Sequence, residues 1–212
     1  MKNLILILFI FLSIDSFAQY DPKAKEILDQ MSEKYQTIPS FKADISYTLT
    51  NETEDIYEEF NGDITVMGDM YKLNIGGQEI INDGKTMWTF LEDVNEVNIS
   101  EYDPDSEEIS PSKIYNIYKN GYKYTYLTDK VVNGDKVHVV DLVPENKSNQ
   151  FFKVRLEIDS DTHELHNWKM FEKTGNVYAY DVTNFASDLK IKESYFAFDE
   201  SQHEGVEVID FR

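Results

Sequence analysis

From Phe41 to Thr50 the chain alternates strictly, with Phe41, Ala43, Ile45, Tyr47 and Leu49 set against Lys42, Asp44, Ser46, Thr48 and Thr50. A period of two is that of a strand buried on one face. Further strand-like segments are read at 57–67, 70–75, 79–81, 87–91 and 94–99, and again at 122–127, 136–143, 151–158, 165–173 and 177–185. Short turns such as Gly68-Asp69, Gly76-Gly77 and Asp83-Gly84 join them, using residues that tolerate positive φ. Turns recurring about every 8–12 residues predict an all-β sandwich or barrel. A meander of about ten antiparallel strands curls rather than staying flat.

Two stretches break this period. In 21–36, Asp21 can cap a helix and Pro22 suits its first turn. Ala24, Ile27, Leu28, Met31 and Tyr35 then form one apolar stripe at helical spacing, and Ile38-Pro39-Ser40 ends it. The second stretch, 110–121, has Ser110 as cap, Pro111 inside the start and Gly121 as a stop. Ile114, Ile117 and Tyr118 share a face of this short helix, which follows the acidic loop 103–108.

Several strands are apolar on both faces. In "EIINDGKTMWTF", 79–90, Trp88 and Phe90 occupy even positions, while Met87 and the following Leu91 occupy odd ones. A hairpin with one face in water should alternate apolar with polar. Segments 137–143, 165–171 and 177–182 pose the same problem. A curled sheet with two apolar faces needs its concave side filled, and the two helices are the candidates. The expectation is a mainly β protein: an incomplete, half-open antiparallel β-barrel with a helical lid and an apolar cavity between them.

The first residues read differently. Met1-Lys2-Asn3 precedes an apolar run, Leu4 to Ile14, and Ser16-Phe17-Ala18 offers small residues for a signal peptidase. This predicts a signal peptide, 1–18, cut after Ala18, and one domain over 19–212. A run of eleven residues is too short for a bilayer span of about 20. The chain has no cysteine, so disulfides and thiolate zinc sites are excluded, as is an acylated cysteine at the cleavage site. Asp and Glu number 40 against 20 Lys and Arg, a net charge of −20. That balance excludes nucleic acid as a partner and opposes adsorption to anionic lipid.

Candidate chemistry is sparse. His163 and His166 would point to opposite faces at a strand entrance, and with His138 and His203 they make no tetrahedral ligand set, so no metal is expected. The run "DPDSEE", 103–108, lacks the glycine and the twelve-residue pattern of a calcium loop. No nucleophile elbow, phosphate loop or dinucleotide fingerprint occurs, and no carboxylate pair lies in an apolar segment. The expectation is no enzyme and no cofactor. The aromatic residues remain: 14 Tyr, 13 Phe and 2 Trp.

Four motifs in order resemble the LolA-type periplasmic lipoprotein carriers. They are "SFKADISYTLT" (40–50), "NGDITVMGDMYKLNI" (61–75), "INDGKTMW" (81–88) and "FAFDESQHEGVEVID" (196–210). The resemblance implies an eleven-stranded incomplete barrel with a helical lid that carries acylated lipoproteins across the periplasm as a monomer. It also implies loading by a LolCDE-type inner-membrane transporter and release to a LolB-like outer-membrane acceptor. Many members carry Arg-Pro where this chain has Gly68-Asp69, and that arginine is tied to holding the lid closed. The nearest cation here is Lys72, which alternation aims away from Tyr71 and Leu73. A second reading keeps the half-barrel but makes it a periplasmic lipid- or peptide-sensing adaptor. Strand parity points Tyr71, Leu73, Trp88, Phe90, Trp168 and Met170 into an acyl-binding cavity, with Ile114, Ile117 and Tyr118 on the lid.

Overall fold

A computed structural model of the chain describes residues 21–104 and 109–212. The leader 1–18 and its cleavage point, and residues 105–108 of the acidic loop, lie outside the described residues. The helix α1 (Pro22–Thr37) opens the fold and presents Ala24, Ile27, Leu28, Met31 and Tyr35 to the interior. Its N-cap, Asp21, accepts hydrogen bonds from the backbone N–H groups of Lys23 (2.9 Å) and Ala24 (3.3 Å) through Oδ1.

The remainder is one twelve-stranded sheet. Its strands are β1 (Ser40–Asn51), β2 (Ile56–Met67), β3 (Met70–Ile75), β4 (Gln78–Asn82), β5 (Thr86–Leu91) and β6 (Glu96–Glu101). After an insertion come β7 (Tyr122–Val132), β8 (Asp135–Pro144), β9 (Phe151–Asp159), β10 (Leu165–Glu172), β11 (Val177–Ser187) and β12 (Glu207–Asp210). The order across the sheet is β12-β6-β5-β4-β3-β2-β1-β11-β10-β9-β8-β7. Neighbours are antiparallel, as short turns require, except that the last strand returns parallel to β6. β7 and β12 are the two edges, so the sheet curls without closing. The strand count of twelve, rather than eleven, comes from β12.

The β7–β8 hairpin turns on Asn133 and Gly134, with φ of 53° and 101°, the paired positive values that match strand twist. The edge strand β7 is tied to α1 by the second oxygen of Asp21, which accepts from the Tyr126 N–H at 2.9 Å. One carboxylate therefore caps the helix and satisfies one N–H of the sheet edge. That hydrogen bond is the largest cause holding the Asp21 carboxyl below its ordinary 3.8, with the helix N–H groups adding to it. Its stabilisation is present above pH 3.8 and lost as pH falls through the lower folded value. Asp21→Ala is expected to cost about 1–2 kcal/mol, read as a loss of about 4 °C in Tm at neutral pH that shrinks on acidification.

The main core lies between the concave face, α1 and the insertion. Over β7–β11 the convex face mixes buried Val137 and Val139 with polar pairs: Lys130–Glu157 (2.7 Å), Arg155–Asp141 (2.7 Å) and Asn167–Asp181 (2.7 Å). Over β5 and β6 it is apolar, and the segment from Phe198 to Val206 covers it, forming a second small core.

Candidate functional site

The cavity sits where β1, β2, β10 and β11 meet α1 and the insertion. Phe41, Ala43, Ile45, Ile64 and Trp168 form its floor, and Tyr35, Pro111, Ile114 and Tyr115 roof it. Its free volume is about 30 Å³, close to one water's share of bulk liquid. In this conformation the space is apolar, partly enclosed and too small for an acyl chain.

The roof is a 3₁₀ turn, Ile114–Lys119, where an α-helix was expected. With three residues per turn, positions i and i+3 eclipse, so Tyr115 and Tyr118 form a second inward row beside Ile114 and Ile117. Ile114, Tyr115 and Tyr118 are buried, and Ile117 is partly so. Tyr115 lies flat on Tyr35, with ring centroids 4.6 Å apart and planes within 4°. Tyr35 meets Phe41 edge-on at 5.6 Å, and its hydroxyl accepts the Leu165 N–H at 3.1 Å. Burial pushes the Tyr115 hydroxyl up to about 12 and raises that of Tyr35 as well.

Three contacts, one helical turn apart on α1, hold this lid down. Tyr118 donates to Asp29 Oδ1 at 2.7 Å, Ser32 Oγ donates to Asn116 Oδ1 at 2.7 Å, and Tyr35 stacks on Tyr115. Gln36 Nε2 donates to Ser32 Oγ at 2.8 Å and completes the pairing. The latch thus joins lid to helix. The turn at Gly68-Asp69 takes no cation to the lid, and Lys72 lies on the convex face, paired with Glu79 at 2.6 Å.

From the cavity the concave face continues as an aromatic wall. Trp168 stacks on Tyr180 (4.6 Å, 8°), Tyr180 meets Tyr47 at 5.1 Å, and Tyr47 meets Phe60 at 6.1 Å. Phe60 is 39% exposed, so the wall runs from the lid to solvent. Burial raises the Tyr180 hydroxyl. The lining offers contact area rather than reactive groups, and among the described residues no three His, Asp or Glu side chains converge on a metal position.

The residues picked by parity divide into two sets. Tyr71, Leu73, Trp168 and Met170 are on the concave face in the main core, and of these Trp168 lines the closed cavity. Trp88 and Phe90 are corrected: they lie on the opposite face. Tyr71 faces Asn82, and Asn82 faces Met87, so Met87 and not Trp88 shares its side. Tyr71 donates to Met87 Sδ at 3.7 Å. Phe90 packs instead against Phe198 (5.6 Å) and His203 (4.2 Å). The second apolar face of this hairpin is covered by the chain's own C-terminal segment.

The sequence model described as outer membrane lipoprotein carrier protein LolA matches residues 36–199. The chain belongs to the LolA family. No curated protein matches the sequence. Among solved structures, an uncharacterized conserved protein of Thermus thermophilus is similar at TM-score 0.59 and 13% identity, over 89% of this chain and 99% of that one. The lipoprotein LppX of Mycobacterium tuberculosis is similar at TM-score 0.52 and 11% identity, over 81% and 100%. A LolA superfamily protein of Nitrosomonas europaea has TM-score 0.45 at 14% identity, over 83% and 98%. The first two likenesses establish the fold. The family match covers β1 through the short turn after β11, which includes the floor, the lid and the aromatic wall of this LolA-family cavity.

Proposed function

We propose that this protein is a periplasmic carrier that takes the acyl chains of lipoproteins into the cavity under the lid and ferries them from the inner to the outer membrane. The observation that carries this reading is an apolar cavity of about 30 Å³, closed by a lid held through three separable contacts on one helix. A permanently filled core needs no such lid. A carrier needs one that is shut when empty and displaced by cargo.

Energetics support transport rather than storage. Each buried methylene is worth about 0.8 kcal/mol, so two or three acyl chains gain on the order of tens of kcal/mol relative to water. Cargo arriving from a membrane is already buried, and membrane-to-cavity transfer is nearly neutral. Loading then requires an energy-coupled donor, the role assigned here to a LolCDE-type transporter. Release requires an outer-membrane acceptor, LolB-like or its equivalent, with slightly better burial. No catalytic step enters.

The floor of the cavity provides the test. Ala43 is 1% exposed at its centre. Ala43→Leu places three carbon atoms where an acyl chain would lie, worth about 2 kcal/mol of displaced contact, or an affinity loss of at least ten-fold. Trp88→Ala, on the convex face, is expected to leave affinity within about two-fold. A fluorescent fatty-acyl probe titrated into both folded variants checks this. Equal losses, or none in Ala43→Leu, would refute the cavity as the binding site.

A further inference from the structure

A second cleft lies on the opposite side of the sheet. Lys42, Thr65 and Lys72 are cross-strand neighbours on the convex face of β1, β2 and β3. The segment after β11 crosses above them, and between the two lies a cleft of about 520 Å³ lined by Lys42, Thr65, Lys190, Ile191, Lys192 and Tyr195, among others. Thr65 is 3% exposed, and its hydroxyl has no hydrogen-bond partner among the described residues. Leaving a buried hydroxyl unpaired is costly, and such groups in native structures call for a partner. Lys42 is paired with Asp63 at 3.1 Å and Lys72 with Glu79 at 2.6 Å. Lys190 and Lys192 are exposed, and no carboxylate among the described residues pairs with either.

We propose that this cleft binds a phosphate ester, with Lys190 and Lys192 supplying the charge and the Thr65 hydroxyl the buried hydrogen bond. The lining comes from the floor and from the overlying segment, which suits a tetrahedral anion with acceptors on several sides. Lysine binds phosphate as a point charge, whereas planar carboxylate is matched by the arginine fork, and no arginine lines the cleft. Ile191 and Tyr195 would cover the ester's carbon side. A chain of net charge −20 is repelled by an anionic membrane, so a local site for a phosphodiester headgroup would fix which face approaches the bilayer. The same chemistry admits a soluble phosphate ester.

Two arms separate the sources: calorimetric titration with glycerol 3-phosphate, and co-sedimentation with phosphatidylcholine vesicles with and without phosphatidylglycerol. Binding in the first arm identifies a soluble ester, and binding only to phosphatidylglycerol vesicles identifies the headgroup. Either is expected to weaken about ten-fold or more in Lys190→Glu/Lys192→Glu and in Thr65→Val. Thr65→Val should keep or raise Tm, because it removes an unpaired hydroxyl, and neither variant should change acyl-probe affinity on the concave face. No binding in either arm would overturn the proposal. So would binding lost with the lysines but intact in Thr65→Val, which would mean surface charge alone.

Discussion

Gly62→Ala is expected to lower Tm by about 6–12 °C, through a loss of about 3 kcal/mol or more. Gly62 lies in β2, paired with Ile45 on one side and Ile75 on the other. A Cβ built there would sit 1.9 Å from the Asn74 carbonyl oxygen and 2.9 Å from its carbon. Both atoms are backbone, so the clash is relieved only by moving β3 away from β2. A glycine in a strand interior commonly marks such a close backbone approach. Thermal unfolding of the two proteins checks the size of the effect. An alanine variant within about 1 °C of the parent would show that the approach is not needed.

Tyr118→Phe is expected to bind an acyl probe about ten-fold more tightly than the parent. The closed cavity has no room for cargo, so apparent affinity is the intrinsic affinity scaled by the fraction of molecules with the lid open. Removing the hydroxyl deletes the Tyr118–Asp29 hydrogen bond of 2.7 Å. That bond is taken as about 1.4 kcal/mol, discounted because the Asp29 carboxylate is 37% exposed. It converts to a ten-fold rise in open population while the closed state dominates. Burial by itself raises the Asp29 carboxyl, but hydrogen bonds from Lys25 and Tyr118 outweigh it, and Lys119 assists, leaving it below its ordinary 3.8. The latch is therefore fully present above that pH and lost as pH falls through the folded value. The parent's affinity should rise on acidification toward that of Tyr118→Phe, whose own affinity should stay nearly flat. Probe titrations across pH check both; a variant that binds more weakly at neutral pH would mean that the hydroxyl contacts cargo instead.

The strand pattern made the half-barrel legible because its signal is local. Phe41, Ala43 and Ile45 alternate with polar neighbours, and all three face the core. The cap at Asp21 and the stripe ending in Tyr35 likewise place α1 where it is found. Parity failed at β5 because both of its faces are apolar, each for its own reason. Met87 turns toward Tyr71, and Phe90 turns toward the C-terminal segment, a partner more than a hundred residues away in sequence. Alternation states that two residues share a side, never which side it is. Tyr115 was missed because an α-helical period sets it apart from Ile114 and Ile117, whereas a 3₁₀ turn brings it onto Tyr35. The Asp29, Ser32 and Tyr35 latch was not legible at all. Each is an ordinary helix residue until the lid turn is placed against it.

Native mass spectrometry of the chain from Gln19 to Arg212, mixed with a triacylated lipopeptide and in parallel with the same peptide lacking its acyl chains, tests the carrier account most directly. The expected result is a one-to-one complex with the acylated peptide alone, more abundant in Tyr118→Phe and depleted in Ala43→Leu. A complex with both peptides, or with neither, would contradict an acyl carrier working through the cavity beneath this lid.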